Sequence, residues 1–149
     1  AYPGGDVPPD RGVCSDVVIR AFRAIGVDLQ AEVHEDMRRN FRAYPRIWGL
    51  RRPDANIDHR RVPNLMVFFD RRGTSLTPDA PFEAGDVVAW RLPNGLHHIG
   101  IVARTRTAGG RPLVVHNIGQ GARLEDVLDS FEKIGHYRWE NRQQQRTYE

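Results

Sequence analysis

The chain has 149 residues, 40% of them hydrophobic and 28% charged, a balance that supports one compact domain and excludes a disordered segment or a disulfide-stapled miniprotein. A single cysteine rules out an intrachain disulfide and leaves the redox compartment open. The formal charge of +3 is too small for a global polyanion binder, and no apolar run approaches the length of a bilayer crossing, so neither a nucleic-acid partner nor a transmembrane segment is expected. Lys133 is the one lysine; the other basic residues are arginines, concentrated from Arg38-Arg39 through Arg42, Arg46 and Arg51-Arg52 to Arg60-Arg61 and Arg71-Arg72. Acids are mixed among them and aromatic residues are not interleaved, the pattern of a solvated face rather than a nucleic-acid module.

In chain order, Pro8, Pro9 and Gly12 break regular structure before a helical pattern that starts close to Cys14. Val17, Val18, Ala21, Phe22 and Ile25 recur at helical spacing and press one face onto a core. A thiol at the helix start faces unpaired N–H groups and the positive end of the dipole, which favour the thiolate. Gly26-Val27-Asp28 turns the chain into a second helix over roughly 31–43, with Val33, Met37 and Phe41 along one stripe and Tyr44-Pro45 ending it. Residues 46–62 lack periodicity and read as an ordered loop. Pro63 to Asp70 reads either as a short helix with proline in its first turn or as a buried strand.

Beyond Pro78 the pattern changes to strands. Val87 to Trp90, His97 to Val102 and Leu113 to Ile118, separated by Pro93-Asn94-Gly95 and Ala108-Gly109-Gly110, form an antiparallel meander. Leu124 to Phe131 reads as a helical turn and His136 to Trp139 as a last strand. Helices first and strands after define an α+β domain with the cysteine helix packed on the sheet. It occupies residues 1–140 as a single unit, followed by a polar tail over 141–149.

Nucleophilic cysteine chemistry needs a thiolate, an imidazole to move its proton and a polar group to orient that imidazole. Cys14 supplies the first. His98 supplies the second; it shares a strand face with Gly100 and Val102, and Gly100 is expected to leave room for substrate. On the next strand, about 5 Å away, either His116 or Asn117 can serve as the third. They face opposite sides, so only one of them can. His97-His98 with His116 do not form a zinc site, because adjacent strand residues diverge and no second cysteine or acidic pair joins them; no metal or other cofactor is expected.

Tyr-Pro-Gly-Gly at 2–5, Gly-Val-Cys-Ser around Cys14, Ala-Gly-Asp-Val-Val-Ala-Trp at 84–90, His-Ile-Gly-Ile-Val at 98–102 and Val-Val-His ending at His116 resemble the ordered blocks of the NlpC-type cell-wall cysteine peptidases, a branch of the papain-like superfamily. More narrowly, Gly-Val-Cys-Ser-Asp-Val-Val, Val-His-Glu-Asp-Met and Asn-Ile-Asp-His-Arg-Arg-Val-Pro-Asn resemble a bacterial family catalogued as a domain of unknown function. The first resemblance implies a papain-like fold and a Cys14-His98-His116 triad. It also implies an acyl-enzyme route to cleavage of an amide or peptide bond in a peptidoglycan stem peptide or murein fragment, with Tyr2 lining the site. Asp16, Asn117 and His59 are further candidate substrate contacts. Val13 and Asp16 stand where peptidases that read a free stem-peptide amine carry Asp and Gly, so the resemblance does not extend to that specificity. It implies a periplasmic or secreted location, with any leader outside this chain, and an inhibitor or immunity protein as partner if the protein acts as a toxin. An acyltransferase, a lipid amidase and a non-catalytic peptidoglycan- or protein-binding module are the alternatives.

Overall fold

The computed structural model describes residues 13–45 and 52–140. Tyr2, Arg46, Arg51 and the polar tail lie outside the described residues.

The first helix, α1 (Cys14–Ala24), begins where the sequence pattern places it. Its first turn is closed by Asp16, whose Oδ2 accepts the Val13 N–H at 2.7 Å; an acid in this position satisfies an orphan donor and complements the dipole. Val17, Val18, Ile19 and Phe22 are its buried apolar face. The second helix, α2 (Leu29–Asn40), starts earlier than the apolar stripe alone predicts, because Asp28 caps it by accepting the Ala31 N–H. It ends in a 3-10 turn, Phe41–Ala43. Asp36 then joins three elements: it accepts the Tyr44 hydroxyl at 2.5 Å and the Arg71 guanidinium at 2.6 and 3.2 Å.

The 63–70 stretch is a helix, not a strand: α3 (Val62–Arg71) buries Val62, Leu65, Phe68 and Phe69, a three-to-four-residue period that an extended chain cannot place on one face. Within the segment expected to be loop, Asp58–Arg60 forms a 3-10 turn whose backbone is claimed from several sides. Ser15 Oγ donates to the Arg60 carbonyl at 2.8 Å and Asn64 Nδ2 to the Asp58 carbonyl at 3.1 Å, and just before the turn Gln30 Nε2 donates to the Ala55 carbonyl at 2.9 Å. Several arginines of the expected solvated face are paired: Arg60 with Asp16, Arg71 with Asp36, Arg72 with Glu32 and Arg38 with Glu35.

The strands are β1 (Ser75–Leu76), β2 (Val87–Arg91), β3 (His97–Arg106), β4 (Pro112–His116), β5 (Arg123–Glu125) and β6 (Glu132–Tyr137). They form one antiparallel six-stranded sheet in the order β1-β6-β2-β3-β4-β5. The β2-β3-β4 meander is as the sequence predicts. Two features differ. Leu124 lies in a strand rather than a helical turn, its backbone paired opposite Val115 of β4. The last strand, expected over His136 to Trp139, runs instead over Glu132–Tyr137, and it crosses back to lie between β1 and β2.

Both faces of the sheet are covered. Val87, Ala89, Ile99 and Tyr137 pack with the three helices. Val88, Trp90, Val102 and Val114 point the other way, onto Leu128, Phe82, Val127 and Phe131. Trp90 is fixed on that second face by donating its indole N–H to the Leu128 carbonyl at 3.0 Å. Among the described residues no helix is long and apolar enough to cross a membrane.

Gly100 does not open space for a ligand, contrary to expectation. A methyl at its Cβ position would stand 2.8 Å from Val114 Cγ1, 2.9 Å from the Val115 carbonyl oxygen and 3.3 Å from His116 Cβ. The glycine is there so that β4 can approach β3. Gly100→Ala should therefore destabilise the fold by about 1–3 kcal/mol, the usual cost of overpacking, and push β4 outward with His116 on it. A urea-unfolding midpoint equal to that of the parent would contradict this.

Candidate functional site

The β2-β3 register sets Trp90 opposite His98, and the β3-β4 register sets Gly100 opposite His116. Both imidazoles thus lie on the face turned away from the helices, where His98 stacks on Trp90 with ring centroids 5.3 Å apart. His98 Nε2 and His116 Nδ1 are 2.9 Å apart and both rings are buried. His116 Nε2 in turn meets Glu125 Oε1 at 2.9 Å. The order is His98, His116, Glu125, from a buried imidazole outward to a half-exposed carboxylate.

Of the two candidates for the third role, the structure pairs His116 with His98. Asn117 begins the turn after β4, its Oδ1 accepting the Gly119 N–H at 2.8 Å. Glu125 is absent from the sequence-based candidates. The available signal was a strand return: after the 119–121 glycine turn, antiparallel pairing with period two places Glu125 on the same face as His116.

Cys14 is the first residue of α1, and that helix packs chiefly on β3. The β3-β4 pairing stops at Gly100 opposite His116, which leaves the edge of β3 at Ile99 uncovered by β4. There the Ile99 N–H is directed at the Cys14 thiol. Strand N–H groups point along the plane of the sheet, so the sulfur lies near that plane, beside the residue next to His98. Among the described residues no hydrogen bond joins the thiol to His98 or His116.

The electrostatics of this resting site differ from a thiolate facing an imidazolium. Burial pushes the Cys14 thiol above its ordinary value; the backbone N–H groups of Ile99, Ser15 and Cys14 itself oppose this, and the Asp16 charge adds to it. Burial, with His116 adjacent, brings His98 down to about 4. The helix start supplies the stabilising donors that the sequence implies, but desolvation outweighs them. The pair therefore rests as neutral thiol and neutral imidazole. Iodoacetamide should alkylate Cys14 in the free protein more slowly than a free cysteine at neutral pH, with the rate rising only into the alkaline range. Alkylation faster than free cysteine at neutral pH would show a thiolate.

Asp16 is expected to touch substrate, yet both its oxygens are engaged within the protein. Oδ2 takes the Val13 N–H and Arg60 Nη2, the latter at 3.0 Å, and Oδ1 takes Arg60 Nε at 3.3 Å. It ties the 58–60 turn to the start of the cysteine helix. His59 sits in that turn, buried, and burial followed by the Arg60 charge brings it to about 4. Asp16, His59 and the thiol thus belong to one neighbourhood at the start of α1, whereas His98, His116 and Glu125 approach from the sheet.

Fold and site together define an α+β domain in which a lone cysteine at a helix start stands at the edge of a sheet that carries a buried His-His-Glu chain. The chain belongs to the family described as Domain of unknown function (DUF1287), whose model matches residues 1–139. It is similar to the Escherichia coli (strain K12) protein titled uncharacterized protein YijF, with 60% identity over 142 residues, covering 93% of this chain and 69% of that protein.

Proposed function

We propose that this protein is a bacterial, envelope-facing cysteine hydrolase of papain-like, NlpC-type fold that cleaves an amide or peptide bond in peptidoglycan. The observation that carries the reading is the His98-His116 pair placed one residue from the backbone N–H that faces the Cys14 thiol. The resemblance of the sequence blocks around Cys14, His98 and His116 to the cell-wall cysteine peptidases supports the substrate class.

In this reading the Cys14 Sγ–H bond breaks as sulfur attacks the carbonyl carbon, and His98 takes the proton. Neither charge is favourable alone in the resting site. Formed together they stabilise each other, the thiolate supplying the counter-charge that the buried imidazolium lacks. The backbone N–H groups of Cys14, Ser15 and Ile99, which converge on the sulfur, are the donors nearest to the developing oxyanion. The His98 imidazolium then protonates the departing amine as the C–N bond breaks, leaving a thioester on Cys14. Water, deprotonated by His98, attacks the thioester; the acid leaves and the thiol is restored.

The test is incubation of the full chain with defined muropeptides, followed by mass spectrometry of the products. Amide cleavage with one water gained is the expected result. Transfer of the acyl group to an added amine, without hydrolysis, would point instead to an acyltransferase on the same residues. The thiol raised by burial favours a second reading, a catalytically silent module that binds peptidoglycan. Retention of intact muropeptide with no product would establish that one and remove the first.

A further inference from the structure

We propose that Glu125 is a positioning residue that fixes the tautomers of His116 and His98, so that His98 carries an unprotonated Nδ1, the nitrogen left to act as a base. The inference rests on the reading of His98 as the base of the site, and it extends that site by a residue on a third strand.

A carboxylate oxygen only accepts, so the 2.9 Å contact between Glu125 Oε1 and His116 Nε2 requires the proton to be on His116 Nε2. His116 is 3% exposed, its ring at 69° to that of Trp90 with centroids 6.2 Å apart, and as a neutral imidazole it has one proton to place. Its Nδ1 is then a lone pair. The 2.9 Å contact from His116 Nδ1 to His98 Nε2 needs one donor and one acceptor, so His98 must donate from Nε2. A neutral imidazole with its proton on Nε2 has its lone pair on Nδ1, the nitrogen with no hydrogen-bond partner among the described residues. One acceptor at the sheet edge thus sets the protonation pattern of two rings, and the second ring ends as a base. Without Glu125 the His116 proton has no preferred nitrogen. The alternative pattern, with Nδ1–H on both rings, leaves His98 unable to take a proton from sulfur at Nδ1.

The strand geometry suits the role. β5 is only three residues long, yet its register sets Arg123 opposite His116 and Glu125 opposite Val114, which brings the Glu125 side chain to the His116 ring. The carboxylate is half-exposed, so its replacement removes an acceptor without opening a cavity.

The experiment is a two-bond nitrogen–proton correlation spectrum of the histidine rings in the 15N-labelled full chain at neutral pH. His98 and His116 are assigned from the His98→Gln and His116→Gln spectra. In the parent, both rings should show a protonated Nε2 and an unprotonated Nδ1. In Glu125→Leu, the single pattern should be lost at His116 and, through it, at His98, while the unfolding midpoint stays near that of the parent. With a turned-over substrate, kcat should fall on the order of 10- to 100-fold with KM unchanged, the size expected when the group orienting a functional histidine is removed. A protonated Nδ1 on either ring of the parent, a doubly protonated His116, or ring patterns unchanged in Glu125→Leu would overturn the proposal. The parent spectrum alone can do so, even if the variant is unstable. The ring patterns are read without substrate, so their failure is distinguishable from failure of the hydrolase reading: expected tautomers with no muropeptide product would retain the relay and remove the substrate.

Discussion

Cys14→Ser should lose cleavage of a muropeptide amide by on the order of 10⁴-fold or more, as removal of the nucleophile does in enzymes that form acyl intermediates. The substitution is small, and the position is the half-buried first residue of a helix whose cap is the Asp16 contact to Val13 rather than Cys14, so the fold should survive. The chemistry should not. His98, brought down to about 4, is a weak base in the resting site, and it can accept a proton only from a group acid enough to part with one. A thiol, even one raised by burial, meets that condition far better than an aliphatic hydroxyl. Sulfur is also the better nucleophile once ionised. Serine would therefore keep the shape of the site and lose its reactivity, whereas a serine-hydrolase site tolerates oxygen because its base lies nearer neutrality. The measurement is product release at matched protein concentration, with His98→Gln beside it; both variants should fall to the same floor, since nucleophile and base act as a unit. Residual activity of the serine variant within a hundredfold of the parent would remove Cys14 from the nucleophile role.

Much of this arrangement is legible from local pattern. The start of α1, the meander and the facing of His98 with Gly100 follow from periods of 3.6 and 2 and from the Asn-Gly and Gly-Gly turns, because each is decided by neighbours within a few residues. What the sequence misplaces or leaves open depends on partners far along the chain. The sheet position of β6 is set by contacts of Tyr137 and His136 with β1 and β2, some fifty or more residues earlier. The protonation of Cys14 turns on how deeply α1 sinks against β3, and helix-start electrostatics alone gives the opposite sign. Glu125 lies in a strand too short to show its period, and an acid beside Leu124 reads as well in a helix. In the sequence Gly100 reads as an opening because a residue without a side chain suggests space; in a sheet, it equally marks the close approach of a neighbouring strand.

The largest loss of stability from a single side chain should come at Asp86, outside the candidate site. Asp86 is 1% exposed and accepts from four donors: the Glu83 N–H at 2.9 Å, Arg138 Nε and Nη2 at 3.0 Å each, and His136 Nε2 at 2.6 Å. His136 is itself fully buried, with the Phe82 ring stacked 3.7 Å from it. This one carboxylate holds the turn before β2 to the far strand β6, the connection that local pattern does not predict. Asp86→Ala leaves the buried His136 Nε2–H without its acceptor and the Arg138 guanidinium with only the Pro81 carbonyl and the exposed Glu83, so the cost should be about 3–5 kcal/mol, the range for breaking one side of a buried pair. For a chain of this size that is a fall in Tm on the order of 10 °C. Asp126→Ala, which removes an exposed partner of Arg111, should cost less than about 1 kcal/mol. The same carboxylate predicts a pH dependence of definite sign. Burial alone would raise Asp86, but Arg138, the Glu83 N–H and His136 together hold it below the ordinary carboxylate range. A group depressed in the folded state stabilises fully above its unfolded value, about 3.9 for aspartate, and that contribution is lost as the pH falls through the lower folded value. Acid unfolding of the parent should therefore include a component that Asp86→Ala lacks, so the stability difference between the two should narrow below about pH 4. If denaturant unfolding gives Asp86→Ala no larger a loss than Asp126→Ala, the four-donor carboxylate is not what holds β6 in the sheet.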